Sequence, residues 1–108
     1  MNALQKLEKN GIILKYEDVV EICQKYHITE LSIFGSSIRD DFNEDSDVDI
    51  LVTFDETKER IPFGTVELID LFSELLNRDV DIINKKCIKN PIRRDIILSS
   101  CEVVYDNT

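Results

Sequence analysis

The chain has 108 residues, 43% of them hydrophobic, and a formal charge of −9. That length suits a single domain with a real core, expected to span residues 1–108, and the hydrophobic fraction excludes a disordered chain. So negative a chain repels phosphate backbones, which argues against stable non-specific binding of nucleic acid and suits divalent cations or a basic protein partner.

Residues 1–10 carry Lys6, Glu8 and Lys9 and no long apolar run, so no signal peptide is expected. Nor does any stretch approach the roughly 18 apolar residues of a membrane span, so no membrane partner is expected and the default location is cytoplasmic. Ala3, Leu4 and Leu7 predict a short helix over 3–9, stopped by Asn10-Gly11. Val19, Val20, Cys23 and Tyr26 predict a helix over 17–26, with His27 as an ordinary surface residue near its end. Leu31 to Phe34 reads as a buried strand that runs into a tight turn at Gly35-Ser36-Ser37 and then a helical segment. Asp47 to Phe54 is the strongest strand pattern, entered through the polar loop Asn43-Glu44-Asp45-Ser46. Leu68, Ile69, Phe72, Leu75 and Leu76 give a helix over 65–77, and Asn77-Arg78 then turns into a second apolar strand, 80–83. Pro91 opens a helix to about Ser99, and Glu102 to Tyr105 closes as a strand. This order predicts an α/β (α+β) domain: a mixed sheet of three or four strands covered by helices, with a strand order that the sequence leaves open.

Cys23, Cys87 and Cys101 are scattered, lack C-x-x-C spacing and are accompanied by one histidine, so a zinc site is not expected and all three read as buried free thiols. The chemistry lies in the acids. In a strand, side chains alternate, so Asp47 and Asp49 share one face while Val48, Ile50 and Val52 share the other. At ~4 Å and an effective dielectric near 20, two like charges repel by about 4 kcal/mol, an arrangement kept for function rather than for stability. A divalent cation turns that repulsion into coordination, and Mg²⁺ takes a few carboxylates plus substrate phosphates. In the next strand Asp79 and Asp81 oppose Val80 and Ile82; Asp79 reads as a solvated strand end, and Asp81, inside the apolar run, as a charge in need of a partner. If the two strands are neighbours, Asp81 joins Asp47 and Asp49 in a three-carboxylate cluster able to bridge two metal ions.

The turn Phe34-Gly35-Ser36-Ser37 adds the second half. Gly35 lets the backbone approach phosphate oxygens, N–H groups at the following helix start favour anions, and the Ser36 hydroxyl can donate to phosphate or join a metal shell. Arg39 can pair with phosphate or, as readily, with Asp40 or Asp41. Lys85, Lys86, Arg93 and Arg94 stay open between triphosphate, partner and plain surface charge. Gly35-Ser36, ten intervening residues and then Asp47-x-Asp49 combine a phosphate-holding turn with a metal-holding strand.

At these residues the chain resembles the nucleotidyltransferase superfamily that includes DNA polymerase beta, and in particular its minimal nucleotidyltransferase (MNT) members. The stretches 34–39, 46–52 and 77–83 match its three signature segments in order, within a likeness over about 17–104. The resemblance implies that Gly35 and Ser36, with Arg39 nearby, hold the triphosphate of ATP or another nucleoside triphosphate. It also implies that Asp47, Asp49 and Asp81 bind Mg²⁺, two ions if the cluster is complete, and that Asp81 helps activate the attacking hydroxyl. Many minimal members serve as antitoxins that transfer AMP from ATP to a tyrosine of a HEPN-type toxin, so the resemblance implies such a toxin as partner. One departure is Asp40, where the family often has glycine after the arginine, so the loop there is expected to differ. Within 108 residues no second domain is expected to grip a primer, tRNA or small-molecule acceptor, which disfavours a polymerase or an antibiotic-modifying enzyme. The alternative is a non-catalytic binding module that neutralises its partner by steric contact, with the acidic cluster serving the interface.

Overall fold

The structure, a computed structural model, describes residues 1–59 and 61–107. Helix α1 (Ala3–Lys9) starts in a reciprocal cap: the Asn2 side chain accepts from the Gln5 N–H, and the Gln5 side chain accepts from the Asn2 N–H, both at 2.9 Å. Helix α2 (Tyr16–Lys25) lacks a side-chain cap but carries Glu17 and Asp18 in its first turn, where acids oppose the helix dipole favourably. His27 follows this helix in the left-handed region (φ 59°) and is half-buried rather than freely exposed, because its carbonyl accepts the Asp55 N–H at 2.7 Å.

Strand β1 (Ile28–Phe34) leads through a 3₁₀ turn at Ser36–Ile38 and a polar loop into β2 (Val48–Phe54). Helix α3 (Gly64–Leu76) runs from a left-handed Phe63 to a left-handed Asn77, and β3 (Val80–Asn84) follows. Helix α4 (Pro91–Ser100) begins at Asn90, whose side-chain oxygen accepts from the N–H groups of Ile92 and Arg93, and β4 (Glu102–Asp106) ends the fold.

The four strands form one mixed sheet in the order β3-β2-β1-β4, with β2 parallel to β3 and the other two pairs antiparallel. The parallel pair follows from the chain: β2 and β3 are joined through α3, and a helical crossover is what returns the chain in the same direction. Alternation sorts the sheet into two faces. Leu31, Ile33, Val48, Ile50, Val52, Val80 and Ile82 join Val19, Cys23, Leu68 and Phe72 in the main core. Fully burying a side chain such as Phe72 or Leu68 contributes roughly 1.5–3 kcal/mol, which is why this face dictates the register. The opposite face is covered only in part, by a small cluster of Leu51, Ile88 and Ile97 that brings α4 down beside β2. The uncovered remainder is where Asp49 stands. No helix among the described residues is long and apolar enough to cross a membrane.

The thiols depart from expectation. Cys23 is buried, but Cys101 is half-buried at the margin of the second cluster, and Cys87 is exposed in the short turn before α4, where its neighbour Ile88 takes the buried place.

Candidate active site

The antiparallel pairing of β1 with β2 sets Phe34 opposite Asp49, so the turn that leaves β1 lies beside the start of β2. Gly35 has φ 81° and ψ −161°, backbone that only glycine adopts without strain. Space demands glycine too: a Cβ there would fall 2.3 Å from Oδ2 of Asp49. The glycine is thus the floor on which the Asp49 carboxylate rests, as well as the hinge of the turn.

The parallel pairing of β2 with β3 sets Asp49 directly beside Asp81, and paired residues share a face. Asp47, two residues before Asp49, precedes the first ladder residue and is exposed; Asp81 is exposed and Asp49 half-buried. Burial raises the pKa of Asp49, and the neighbouring charges of Asp81 and Asp47 push it the same way, while Arg39 and Arg93 partly offset them. Asp49 therefore feels both of the other acids. Two details differ from expectation. Asp81 stands on an edge strand in contact with solvent, so its charge is screened and needs no buried partner. And no three acidic, histidine or cysteine side chains among the described residues converge closely enough to hold an ion as they stand.

Ser36 opens the 3₁₀ turn and is half-buried, and its carbonyl accepts the Arg39 N–H at 2.9 Å. Behind it, the Ser37 hydroxyl is fully buried with no hydrogen-bond partner among the described residues. Arg39 grips Asp41 through Nε and Nη2 at 3.0 and 3.3 Å, yet its charge still reaches Asp49. Asp40, in the position where glycine is common, instead pairs with Lys9 at 3.7 Å.

Of the four cations left open by the sequence, three are engaged elsewhere. Lys85 pairs with Glu30, Lys86 with Glu56, and Arg94 donates to the Lys85 carbonyl at 2.9 Å. Arg93, in the first turn of α4, is the one close enough to act on Asp49.

Two residues have a role at the site that the sequence reading did not assign to them. The Asn10 side-chain amide, at the end of α1, donates to the carbonyls of Ser37 and Arg39 at 2.8 and 3.0 Å and so ties down the Gly35 turn. Arg78, read only as part of a turn, donates to the carbonyls of Glu44 and Ser46. An apolar hollow of about 290 Å³, lined by Tyr26, Phe54, Ile61 and Phe63 among others, lies at the far end of the β1–β2 ladder from Asp49 and plays no part here.

The donor set around Asp49 consists of hard carboxylate oxygens with no thiolate or imidazole, which fits Mg²⁺ rather than zinc. With a glycine turn beside it, the arrangement sets the ligand type a cation needs next to the kind of turn that suits a polyphosphate.

Known proteins share this fold and sequence pattern. A family model described as nucleotidyltransferase domain matches residues 17–104. Protein adenylyltransferase MntA of Thermococcus cleftensis is 36% identical over 79% of this chain and 81% of its own. A Methanocaldococcus jannaschii protein, provisionally named a protein adenylyltransferase, is 40% identical over 78% of this chain and 82% of its own. A solved structure provisionally described as a minimal nucleotidyltransferase superposes with a TM-score of 0.67 at 29% identity, covering 94% of both chains. A complex described as a tri-AMPylated Shewanella oneidensis HEPN toxin with MNT antitoxin contains a chain of the same fold, with a TM-score of 0.59 at 15% identity over 84% of this chain and 69% of that one. This chain belongs to the nucleotidyltransferase family, and within it to the small enzymes named as protein adenylyltransferases.

Proposed function

We propose that this protein transfers AMP from ATP to a hydroxyl, a tyrosine in the first instance, of a HEPN-type toxin and thereby acts as its antitoxin. The observation that carries the reading is the position of Asp49, seated on Gly35 at the end of β1 and in register with Asp81 on β3. The names of the relatives and of the toxin–antitoxin complex support a protein acceptor and a toxin partner.

Asp47, Asp49 and Asp81 would hold Mg²⁺, in one or two ions. When bound, the metal neutralises charge on the triphosphate and makes the acceptor hydroxyl more acidic. The chain's own groups do the rest. The Gly35 turn and the Ser36 hydroxyl hold phosphate oxygens, and Arg93 and Arg39 supply positive charge near Asp49. The acceptor oxygen forms a bond to the α-phosphorus as the bond to the bridging β-phosphate oxygen breaks, and pyrophosphate leaves with that electron pair. The hydroxyl proton passes to a carboxylate, for which Asp81 is suited by its open position on the edge strand.

The test is to incubate the protein with labelled ATP, Mg²⁺ and a HEPN-type protein, where the neighbouring gene encodes one, and to look for label on that partner. Asp49→Asn is expected to abolish labelling. If the two proteins bind and no label moves, or if neutralisation of the partner survives both Asp49→Asn and metal chelation, the catalytic reading falls and steric inhibition takes its place.

A further inference from the structure

Asp49 and Asp81 owe their positions to the β2–β3 ladder, but Asp47 lies just before that ladder, at the end of the loop 43–47. Something outside the sheet must hold it. The Arg78 guanidinium lies 4.5 Å from the centre of the Phe42 ring, and Phe42 itself packs on the main core. From that seat Nη1 donates to the Ser46 carbonyl at 3.3 Å and Nη2 to the Glu44 carbonyl at 3.2 Å. The residue on the other side of Asp47 is fixed from the same segment, because the Val48 N–H donates to the Asp79 carbonyl at 3.0 Å.

Glu44, Asp45, Asp47 and Asp79 line the same depression as Arg78, yet its two hydrogen bonds go to backbone carbonyls. An arginine used for charge alone would be expected on one of those carboxylates. Two donors at fixed separation and a flat face for stacking are what a guanidinium supplies and an ammonium does not.

We propose that Arg78 is a positioning residue for the metal site: stacked on Phe42 and bonded to the carbonyls of Glu44 and Ser46, it holds the loop so that Asp47 can ligate alongside Asp49 and Asp81. The assignment rests on the metal-binding reading above. It also couples the whole site to one short segment, since residues 78–81 then set Asp47 through Arg78 and Asp79, and Asp49 through the register of Asp81.

The experiment compares wild type, Arg78→Lys and Phe42→Leu by amide hydrogen exchange of residues 43–48 and by titration with Mn²⁺ alone, followed by electron paramagnetic resonance. Arg78→Lys keeps the charge and loses the fork, so loop exchange is expected to quicken about tenfold and Mn²⁺ affinity to fall by about tenfold or more, the range for residues that orient metal ligands. Exchange in β1 and α3 should stay as in wild type. Phe42→Leu, which keeps the guanidinium and removes its seat, should shift both readouts the same way by a smaller factor and serves if Arg78→Lys does not fold. Unchanged loop exchange, or faster exchange with wild-type Mn²⁺ affinity, overturns the assignment alone. Wild type that binds no Mn²⁺ overturns the metal reading and the assignment with it.

Discussion

Replacing Asp49 by asparagine should make the metal-free protein more stable while destroying its activity. Asp49 and Asp81 are partners across a parallel strand pair with an inter-strand spacing near 4.8 Å, so a carboxylate separation of about 5 Å is taken for the magnitude. Coulomb's law gives roughly 3 kcal/mol of repulsion at an effective dielectric of 20 and about 0.8 kcal/mol in water. Asp81 is exposed and Arg39 and Arg93 offset part of the repulsion, so a net gain of about 1 kcal/mol is expected, or about 4 °C in Tm for a domain of this size. The pH dependence fixes the cause. The folded pKa of Asp49 is raised, so the native state holds this proton more tightly than the unfolded chain does. Its protonation supports the fold fully below the ordinary aspartate value, and that support is lost as pH rises through the folded pKa. Asparagine mimics the protonated form, so its advantage should be present at pH 7 and vanish below about pH 4. The assay is calorimetric melting of both proteins in low salt with chelator, repeated with Mg²⁺, which should stabilise wild type and leave the variant unmoved. A variant that melts at or below the wild-type temperature at pH 7 without metal would refute the reasoning.

Gly35→Ala should cost about 2 kcal/mol from its backbone angles and more from the collision with Asp49 Oδ2, with loss of activity; chemical denaturation and the labelling assay check it. The adjacent serines should separate cleanly. Ser37→Ala removes a buried hydroxyl without a partner and should be neutral to about 1 kcal/mol stabilising with activity retained, whereas Ser36→Ala should slow transfer, as parallel melting and kinetics would show. Burial pushes the Cys23 thiol up to about 12, so iodoacetamide at pH 8 should modify exposed Cys87 first and leave Cys23 untouched until the protein unfolds, read by mass spectrometry.

Much of this molecule is written in local pattern. The alternation in 47–54 and 80–83 and the helical spacing of Leu68, Phe72 and Leu76 determine strands, helix and the faces they bury, because period 2 and period 3.6 are properties of the chain itself. That same alternation predicts Asp47 with Asp49 and Asp79 with Asp81 before any fold is known, although Asp47 and Asp79 fall just before their strands and are held by the chain around them. Which strands adjoin is another matter. The order β3-β2-β1-β4, which sets Asp81 beside Asp49 and Gly35 beneath it, depends on how four strands and the helix between β2 and β3 share one core. Arg93 and Asn10 come to the site from α4 and α1, and Arg78 reaches back more than thirty residues to the loop before Asp47. A lone arginine or asparagine has no period and no fixed spacing to its partner, so its role exists only once tertiary packing has closed the distance.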